Sequence, residues 1–294
     1  MPSSFVIYCH PEVDLSKRAY IGSGLHDGFL LFLSQLDSEV AQGISGSKTI
    51  PFTLSPLFGK VDRGPVTKEM RGIERLVRER DIGHEGFIKA ETPCRLRTSF
   101  LDDSIGKRVE EILREPSGGI SLTIGGIPLR ITDAVFSRES GDPWVSRKSY
   151  DELYDNASPT KRSVLLQFVT STAFKRGGGN LPLPDPQMAF RGYLDHWRWF
   201  SFLPFSSDFM EVIEQSILLA DFNISPVSRE MDYGKEHGFT GWCRFLLAGR
   251  HHERHIREFN VLADYAYYCG TGRNTSLGMG VTRRVRFEKR VLPR

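Results

Sequence analysis

The sequence has no long hydrophobic run and little cysteine. No apolar stretch among its 294 residues reaches the roughly 18–20 residues of a membrane-spanning helix. Its four cysteines form no Cys-x-x-Cys pair, which argues against a structural zinc site or a disulfide framework and favours a reduced compartment. Residues 1–5 lack the basic start and the apolar core of a signal peptide. We therefore expect a cytoplasmic globular protein that makes no membrane contact.

The sequence also has little net charge, +3 in total, which by itself does not indicate a nucleic-acid partner. The charge is unevenly distributed, however. Residues 240–294 hold eleven Lys or Arg and four Asp or Glu, a net charge of +7, so the other 239 residues sum to −4. This asymmetry indicates a polyanion-binding surface towards the C-terminal end, and a solvated basic tail is the alternative.

A glycine-rich run lies within this basic region. Residues 270–280, GTGRNTSLGMG, place two Gly-x-Gly pairs around five residues that are rich in hydrogen-bonding side chains. Glycine lets backbone N–H groups come close to a ligand, and successive outward amides form an anion-binding concavity. The sequence therefore predicts that this segment, the glycine loop, binds phosphate groups through its amides.

Two nucleotide-binding interpretations of the glycine loop fail. A P-loop needs a Gly-Lys-Ser/Thr sequence in a strand–loop–helix context, and neither is present. A dinucleotide-binding fold needs the loop at the start of a βαβ unit, whereas this loop follows a predicted helix near the chain end. A phosphodiester backbone is the better fit.

The first half of the chain predicts a β-α-β-β-α-β order of elements. Apolar residues recur at helical spacing from about Ser23, and residues 104–113 are amphipathic. Residues 120–135 hold two β segments around a Gly125-Gly126 turn. The remaining strands are predicted at residues 5–9, 51–58 and 94–101.

The second half repeats that order. Strands are predicted at residues 163–171, 222–230, 238–248 and 281–287, with helical regions at 194–200, 209–219 and 255–268. The order is that of a ferredoxin-like unit. We therefore predict an α+β protein of two tandem ferredoxin-like (RRM-like) domains, residues 1–137 and 161–294, with a junction at 138–160.

Seven segments, in order, resemble one family. They are residues 25–30 (LHDGFL), 51–57 (PFTLSPL), 94–101 (CRLRTSFL), 168–176 (FVTSTAFKR), 181–186 (LPLPDP), 238–241 (GFTG) and 262–269 (LADYAYYC), the last running into the glycine loop. Together they resemble the CRISPR repeat-processing endoribonucleases of the RAMP superfamily, over nearly the whole chain.

The resemblance implies a metal-independent endoribonuclease that cleaves precursor crRNA within the repeat, in antiviral defence, without a cofactor. In that chemistry the ribose 2′-OH attacks the neighbouring phosphorus and leaves a 2′,3′-cyclic phosphate and a 5′-OH. Such a reaction needs a base, an acid and cations near the scissile phosphate. The alternative function is a non-catalytic crRNA-binding subunit of the same superfamily, which would keep the glycine loop and lose the acid–base pair.

His26 is the first candidate for the acid or the base, because imidazole titrates near neutrality and the resemblance places part of the active site at the first helix. Packing of a histidine at a helix start is the alternative. Many family members carry a further histidine just after the first helix, and residues 43–49 of this chain contain none. The second acid–base group is therefore not identified.

Four other residues are weaker catalytic candidates. Lys48 lies where the family often has a basic residue and could stabilise the phosphorane, although it could equally be a solvated loop lysine. Ser45 and Ser47 could hydrogen-bond the scissile phosphate, although serines in such a Gly-Ser segment are more often turn residues. Tyr20 is a further candidate for the acid.

The predicted RNA contacts centre on the glycine loop and on basic residues nearby. On a strand, neighbouring side chains face opposite sides, so Arg283 and Arg284 are expected on different faces. Residues 175–180 read as a mobile basic loop suited to a hairpin stem, with a plain surface linker as the alternative. The predicted contacts are Gly270, Gly272, Arg273, Asn274, Thr275, Gly278, Gly280, Arg283, Arg284, Lys175 and Arg176.

No metal site is expected. His251, His252 and His255 lie close in sequence, but no carboxylate or cysteine follows at a usable interval, so a basic helix edge is the favoured interpretation. The expected partner is CRISPR repeat RNA. The resemblance leaves open whether the protein joins a CRISPR effector complex and whether it is a monomer or a homodimer.

Overall fold

The computed structural model of the protein describes residues 1–16, 22–45, 47–59, 61–63, 77–79, 87–114, 121–231 and 234–285. The elements of the N-terminal half are β1 (Ser3–Pro11), β2 (Leu15–Ser16), α1 (Ser23–Leu36), α2 (Ser38–Ser45), β3 (Phe52–Leu54), β4 (Val61–Arg63), β5 (Val77–Glu79), β6 (Phe87–Ile88), β7 (Cys94–Phe100), α3 (Asp103–Arg114), β8 (Leu122–Ile124) and β9 (Ile127–Val135).

The N-terminal sheet has the strand order β3-β7-β1-β9-β8, and its pairings are antiparallel. Without the added β8, this is the second–third–first–fourth order of a ferredoxin-like fold, with α1 and α3 as its two helices. Alternate residues of β1, among them Phe5 and Ile7, pack in the same core cluster as the α1 residues Leu25 and Phe29. Burial of this face fixes the register of the strands.

Helix α1 packs unusually closely on β8. A Cβ atom built on Gly28 would lie 1.9 Å from the carbonyl oxygen of Thr123, so this position admits only glycine at this distance. The close approach places the start of α1 firmly against the N-terminal sheet.

The segment between the two halves, predicted as a junction at 138–160, is ordered. It contains β10 (Ser146–Arg147), which pairs with β1, and α4 (Tyr150–Asp155). Ser149 begins α4 with a capping box closed by Glu152, which satisfies amides at the helix start. Trp144, 1% exposed, packs with Val6 of the N-terminal sheet and Val281 of the C-terminal half.

The C-terminal half repeats the fold. Its elements are β11 (Ser163–Thr172), β12 (Phe174–Arg176), β13 (Gly179–Leu181), α5 (Pro186–Phe200), α6 (Phe209–Ser216), β14 (Ile217–Met231), β15 (Gly234–Leu247), α7 (Glu253–Cys269) and β16 (Thr282–Val285). The sheet order is β14-β15-β11-β16, again second–third–first–fourth and antiparallel. Helices α5, α6 and α7 pack one face, where Phe190 stacks on Phe259 with ring centroids 5.1 Å apart.

Three sequence predictions differ from the structure. Residues 175–180, predicted as a flexible loop, lie in the β12–β13 hairpin, closed by Phe174 opposite Leu181. Residues 43–45, predicted as part of a loop, end α2, which packs Ile44 into the N-terminal core. The helical region predicted to continue to residue 219 stops at Ser216, because Ile217 begins the long strand β14. No helix of the described ranges is long and apolar enough to span a membrane.

Candidate functional site

The glycine loop connects α7 to β16 and has its ends tied together. The amide of Thr271 donates to the carbonyl of Gly280 at 2.8 Å, and the amide of Gly280 donates to Ser171 of β11 at 2.9 Å. A buried chain of hydroxyls supports this base, since Tyr193 of α5 bonds Thr271 at 2.6 Å and Thr271 bonds Thr282 at 2.7 Å. The loop is therefore held by strands β11 and β16 and by helix α5.

Two of the loop glycines are required by close backbone contacts. Gly272, with a φ of +78°, would place a Cβ 2.2 Å from the carbonyl oxygen of Ala173, and Gly280, with a φ of +69°, would place one 2.1 Å from that of Thr271. Left-handed backbone and crowding both exclude larger residues here. Glycine at these positions serves the packing of the loop on its own domain.

The expectation that the loop amides form an open phosphate cradle needs correction. The amides of Thr271, Arg273, Leu277, Met279 and Gly280 donate to carbonyls of the protein itself. These donors are consumed in shaping the loop, so side chains such as Arg273, Asn274 and Thr275 carry more of any ligand contact than the sequence suggested. Asn274 has a φ of +59°, a conformation that asparagine tolerates better than most residues.

Arg273 links the glycine loop to the β12–β13 hairpin. Its guanidinium bonds the side-chain oxygen of Asn180 and lies 3.4 Å from a carboxylate oxygen of Glu236, which is only 5% exposed. Lys175 and Arg176 on the same hairpin are exposed. The structure thus places two sets of predicted RNA contacts, those of the glycine loop and those of the β12–β13 hairpin, next to each other.

His26 lies in the first turn of α1, beside the glycine loop. Its imidazole stacks on the ring of Phe52 of β3, with centroids 5.6 Å apart and an interplanar angle of 23°. Its Nδ1 atom is buried and has no hydrogen-bond partner among the described residues. The amide of Gly22, at the start of the same helix, donates to the carbonyl of Leu277 in the loop at 3.0 Å. The candidate catalytic residue and the candidate RNA-binding loop therefore border one site.

Three of the other catalytic candidates lie at or just beyond the end of α2. Lys48 is exposed beyond the end of α2, and Ser47 closes a local turn by donating to the carbonyl of Thr49 at 2.6 Å. Ser45 is the last residue of α2 and not a loop residue, because this segment forms a helix. Tyr20 lies outside the described residues.

Two family models match the chain. Residues 1–155 match the CRISPR Cas6 N-terminal domain, and residues 166–282 match the CRISPR-associated endoribonuclease Cas6. The chain belongs to the Cas6 family. Membership confirms the resemblance inferred from the seven sequence segments. Among curated protein sequences nothing matches significantly.

Solved Cas6 structures share the fold of this Cas6 family protein. A product complex of Thermus thermophilus Cas6 superposes with a TM-score of 0.72 at 24% identity, over 97% of this chain and 100% of that chain. A product complex of a second Cas6 gives a TM-score of 0.71 at 21% identity, over 96% and 98%. A Cas6-related protein from Pyrococcus furiosus gives 0.52 at 13%, over 97% and 98%. The predicted pair of ferredoxin-like domains is confirmed.

Arg283 and Arg284, also predicted as RNA contacts, occupy opposite faces of β16 in this Cas6 family protein. Arg284 faces α7, where it donates to the Asn260 side chain at 2.6 Å and pairs with Asp264 at 3.2 Å. Its side chain is only 13% exposed and its guanidinium is held by two α7 side chains, so the structure argues against a direct RNA contact. Arg283 is 7% exposed on the other face, opposite Gln167 of β11.

The histidines of residues 251–255 lie at and just before the start of α7 in this Cas6 family protein. His255 lies 3.2 Å from Asp208, and its ring is 6.0 Å from that of His251. In the described part of the chain, no three His, Cys, Asp or Glu side chains are grouped closely enough to hold a metal ion. The cluster lies at the N-terminal end of α7, the opposite end of that helix from the glycine loop.

Several residues that build the site are not marked by any pattern in the sequence. Phe52 carries the His26 ring, Leu277 bonds the start of α1, and Glu236 with Asn180 holds Arg273. Phe52 lies within a segment that carries the family resemblance, but nothing in the sequence indicates that it touches His26. A contact between distant segments leaves no local pattern to detect.

Proposed function

We propose that this protein is a metal-independent endoribonuclease that cleaves CRISPR precursor RNA within the repeat, and that its active site lies between the start of α1 and the glycine loop. The observation that supports this most is the hydrogen bond between Gly22 and Leu277. It places the start of α1, and with it His26, next to the basic, glycine-rich loop. Such a pairing of one titratable group with a phosphate-binding surface suits cleavage of a phosphodiester.

The reaction is a transesterification. The 2′-oxygen forms a bond to phosphorus while the bond from phosphorus to the 5′-oxygen breaks, leaving a 2′,3′-cyclic phosphate and a 5′-OH. A base takes the proton of the 2′-OH and an acid supplies one to the leaving oxygen. His26 takes one of these roles, since its ring plane is held by Phe52 and an imidazole can both accept and donate a proton.

The RNA backbone follows the basic surface around Arg273, Lys175 and Arg176. Arg273 is already oriented by Glu236 and Asn180, so less side-chain freedom is lost when it contacts a phosphate. Lys48, an exposed cation, is the candidate for stabilising the phosphorane. Other predicted contacts shape this surface. They are Arg283, Gly270, Gly272, Gly278 and Gly280.

A test is cleavage of a labelled CRISPR repeat RNA in the presence of EDTA, followed by analysis of the product ends. We expect one cut per repeat, a 5′-OH that a kinase phosphorylates without prior phosphatase treatment, and no cleavage of RNA with a single 2′-deoxy substitution at the cut. Cleavage that requires a divalent metal, or products with 5′-phosphate ends, would contradict the proposal.

The second candidate function is a crRNA-binding subunit without catalysis. It is favoured by one observation, the absence of any histidine in residues 43–49, where many family members carry one. Tight binding of the repeat RNA with no product over hours would support this function instead.

A further inference from the structure

The N-terminal sheet caps the C-terminal end of α7, the helix that leads into the glycine loop. The hydroxyl of Thr53 donates to the carbonyl of Tyr268 at 3.0 Å, and the guanidinium of Arg97 donates to the carbonyl of Tyr267. The last carbonyls of a helix have no partner within it, and a cation near them is favourable. Two side chains from the first domain therefore complete a helix of the second.

Arg97 is held rigidly in this contact. It is 2% exposed, and its guanidinium carbon lies 5.2 Å from the ring of Trp144 and 5.0 Å from that of Tyr267. Its Nε and Nη1 atoms have no hydrogen-bond partner among the described residues, and burial lowers its pKa. The two aromatic rings and the Tyr267 carbonyl thus stabilise the buried positive charge. Because the cation would lose these contacts, moving it away from the end of α7 costs free energy.

Thr53 is also adjacent to the residue that supports His26. Phe52 and Thr53 are consecutive in β3, so their side chains point to opposite faces of the sheet. Phe52 faces α1 and stacks under the His26 ring, whereas Thr53 faces α7. One short strand thus holds the candidate catalytic histidine on one side and the root of the glycine loop on the other.

We propose that Thr53 and Arg97 are positioning residues that set the separation between His26 and the glycine loop by fixing the end of α7 on strands β3 and β7. This inference rests on the proposed function, because it concerns the geometry of that same site. A displacement of about 1 Å at a catalytic group can lower a rate by about 100-fold, so loss of this cap should act on the cleavage step.

The test compares Thr53→Val with Thr53→Ser and with Thr98→Val. Valine keeps the shape of threonine but removes the donor, and serine restores it. Thr98 is a matched control because it is a buried threonine of β7 whose hydroxyl has no hydrogen-bond partner among the described residues. Three quantities are measured: the single-turnover cleavage rate, the Kd for repeat RNA with a 2′-deoxy substitution at the cut, and hydrogen exchange of the Thr271 and Gly280 amides.

We expect Thr53→Val to lower the cleavage rate by about 10- to 100-fold, to change the Kd by less than about threefold, and to speed exchange of both amides. Thr53→Ser should stay within about threefold of the wild type, as should Thr98→Val. An unchanged rate in Thr53→Val, or a Kd that rises as much as the rate falls, would overturn the inference. So would loss of folding in Thr53→Val without it in Thr98→Val, since Thr53 would then be structural.

The two proposals fail separately. If the wild type does not cleave repeat RNA, the proposed function is wrong, and the exchange measurement still reports whether Thr53 fixes the loop. If the wild type cleaves and Thr53→Val cleaves equally fast, only the positioning role is wrong. Arg97→Lys provides a second variant, which keeps the charge but loses the planar contact with two aromatic rings; the same separation of rate from Kd is expected.

Discussion

The backbone amide of Gly22 donates a hydrogen bond to the carbonyl of Leu277 at 3.0 Å and so joins the start of α1 to the glycine loop. The two residues belong to different ferredoxin-like domains. Because His26 lies one turn further along α1, this bond brings a titratable side chain to the edge of the loop. The candidate catalytic residue and the candidate RNA-binding loop, which lie far apart in the sequence, are therefore close together in the structure.

His26→Ala should slow single-turnover cleavage of repeat RNA by about 100-fold or more if the imidazole is the acid or the base. The Kd for uncleavable RNA should change little, because the substitution removes no cation from the glycine loop. His252→Ala is the matched control, since that exposed histidine lies at the far end of α7. An unchanged rate in His26→Ala would transfer the role to Lys48, Tyr20 or a serine.

Arg273→Gln should weaken RNA binding and reduce the slope of log Kd against log salt concentration by about 1, the value for loss of one phosphate contact. The measurement is a salt titration of binding for the wild type and the variant. Arg198→Gln, on the exposed face of α5, serves as the control and should leave both affinity and slope unchanged. Equal slopes for the wild type and Arg273→Gln would remove Arg273 from the RNA surface.

Gly272→Ala should distort the glycine loop, because the new Cβ would lie 2.2 Å from the Ala173 carbonyl oxygen in a left-handed conformation. The left-handed backbone alone costs about 1–2 kcal/mol for a residue with a Cβ. Urea unfolding and RNA binding both measure the effect, and both should be impaired. Gly178→Ala in the β12–β13 hairpin has nothing within 4 Å of the new Cβ and should be nearly neutral.

Stability should fall as pH rises through the alkaline range. Burial raises the pKa of the Cys94 and Cys243 thiols to about 12, from an ordinary value of 9.0. The unfolded chain therefore releases these protons first, so the stabilisation is present below pH 9 and is lost as pH approaches 12. Urea unfolding at pH 8 and pH 10 measures the loss, and Cys94→Ala should reduce it. Rapid alkylation of the native thiols at pH 8 would contradict this burial.

Local pattern was enough to predict most elements. The helix from Ser23 and the helix ending in Cys269 follow from apolar spacing, and the turn at Gly125-Gly126 follows from its glycines. Helix α2 was not predicted, because its last residues lie in a Gly- and Ser-rich segment of weak helix propensity. Packing of Ile44 in the N-terminal core stabilises this helix. The β12–β13 hairpin was not predicted either, because the pairing of Phe174 with Leu181 produces no periodic pattern in the sequence.

The candidate site was predicted in its parts and not in its arrangement. Glycines and basic residues identify the loop in the sequence. The sequence does not show, however, that Arg284 is paired with Asp264 within the same domain. Nor could it reveal that five loop amides are bonded to the protein's own carbonyls. Which donors remain for a ligand depends on which acceptors the fold brings near, and that is a tertiary property.

The sequence by itself determined the two ferredoxin-like units and the position of the glycine loop, because periodicity and glycine placement act through neighbouring residues. The family followed from the resemblance of seven segments along the chain. The tertiary structure alone decided that His26, Phe52 and Thr53 stand beside the loop, more than 200 positions later in the chain. Contacts between domains arise from the shape and burial of whole faces, here the N-terminal sheet against the end of α7. No local pattern in the chain encodes that match.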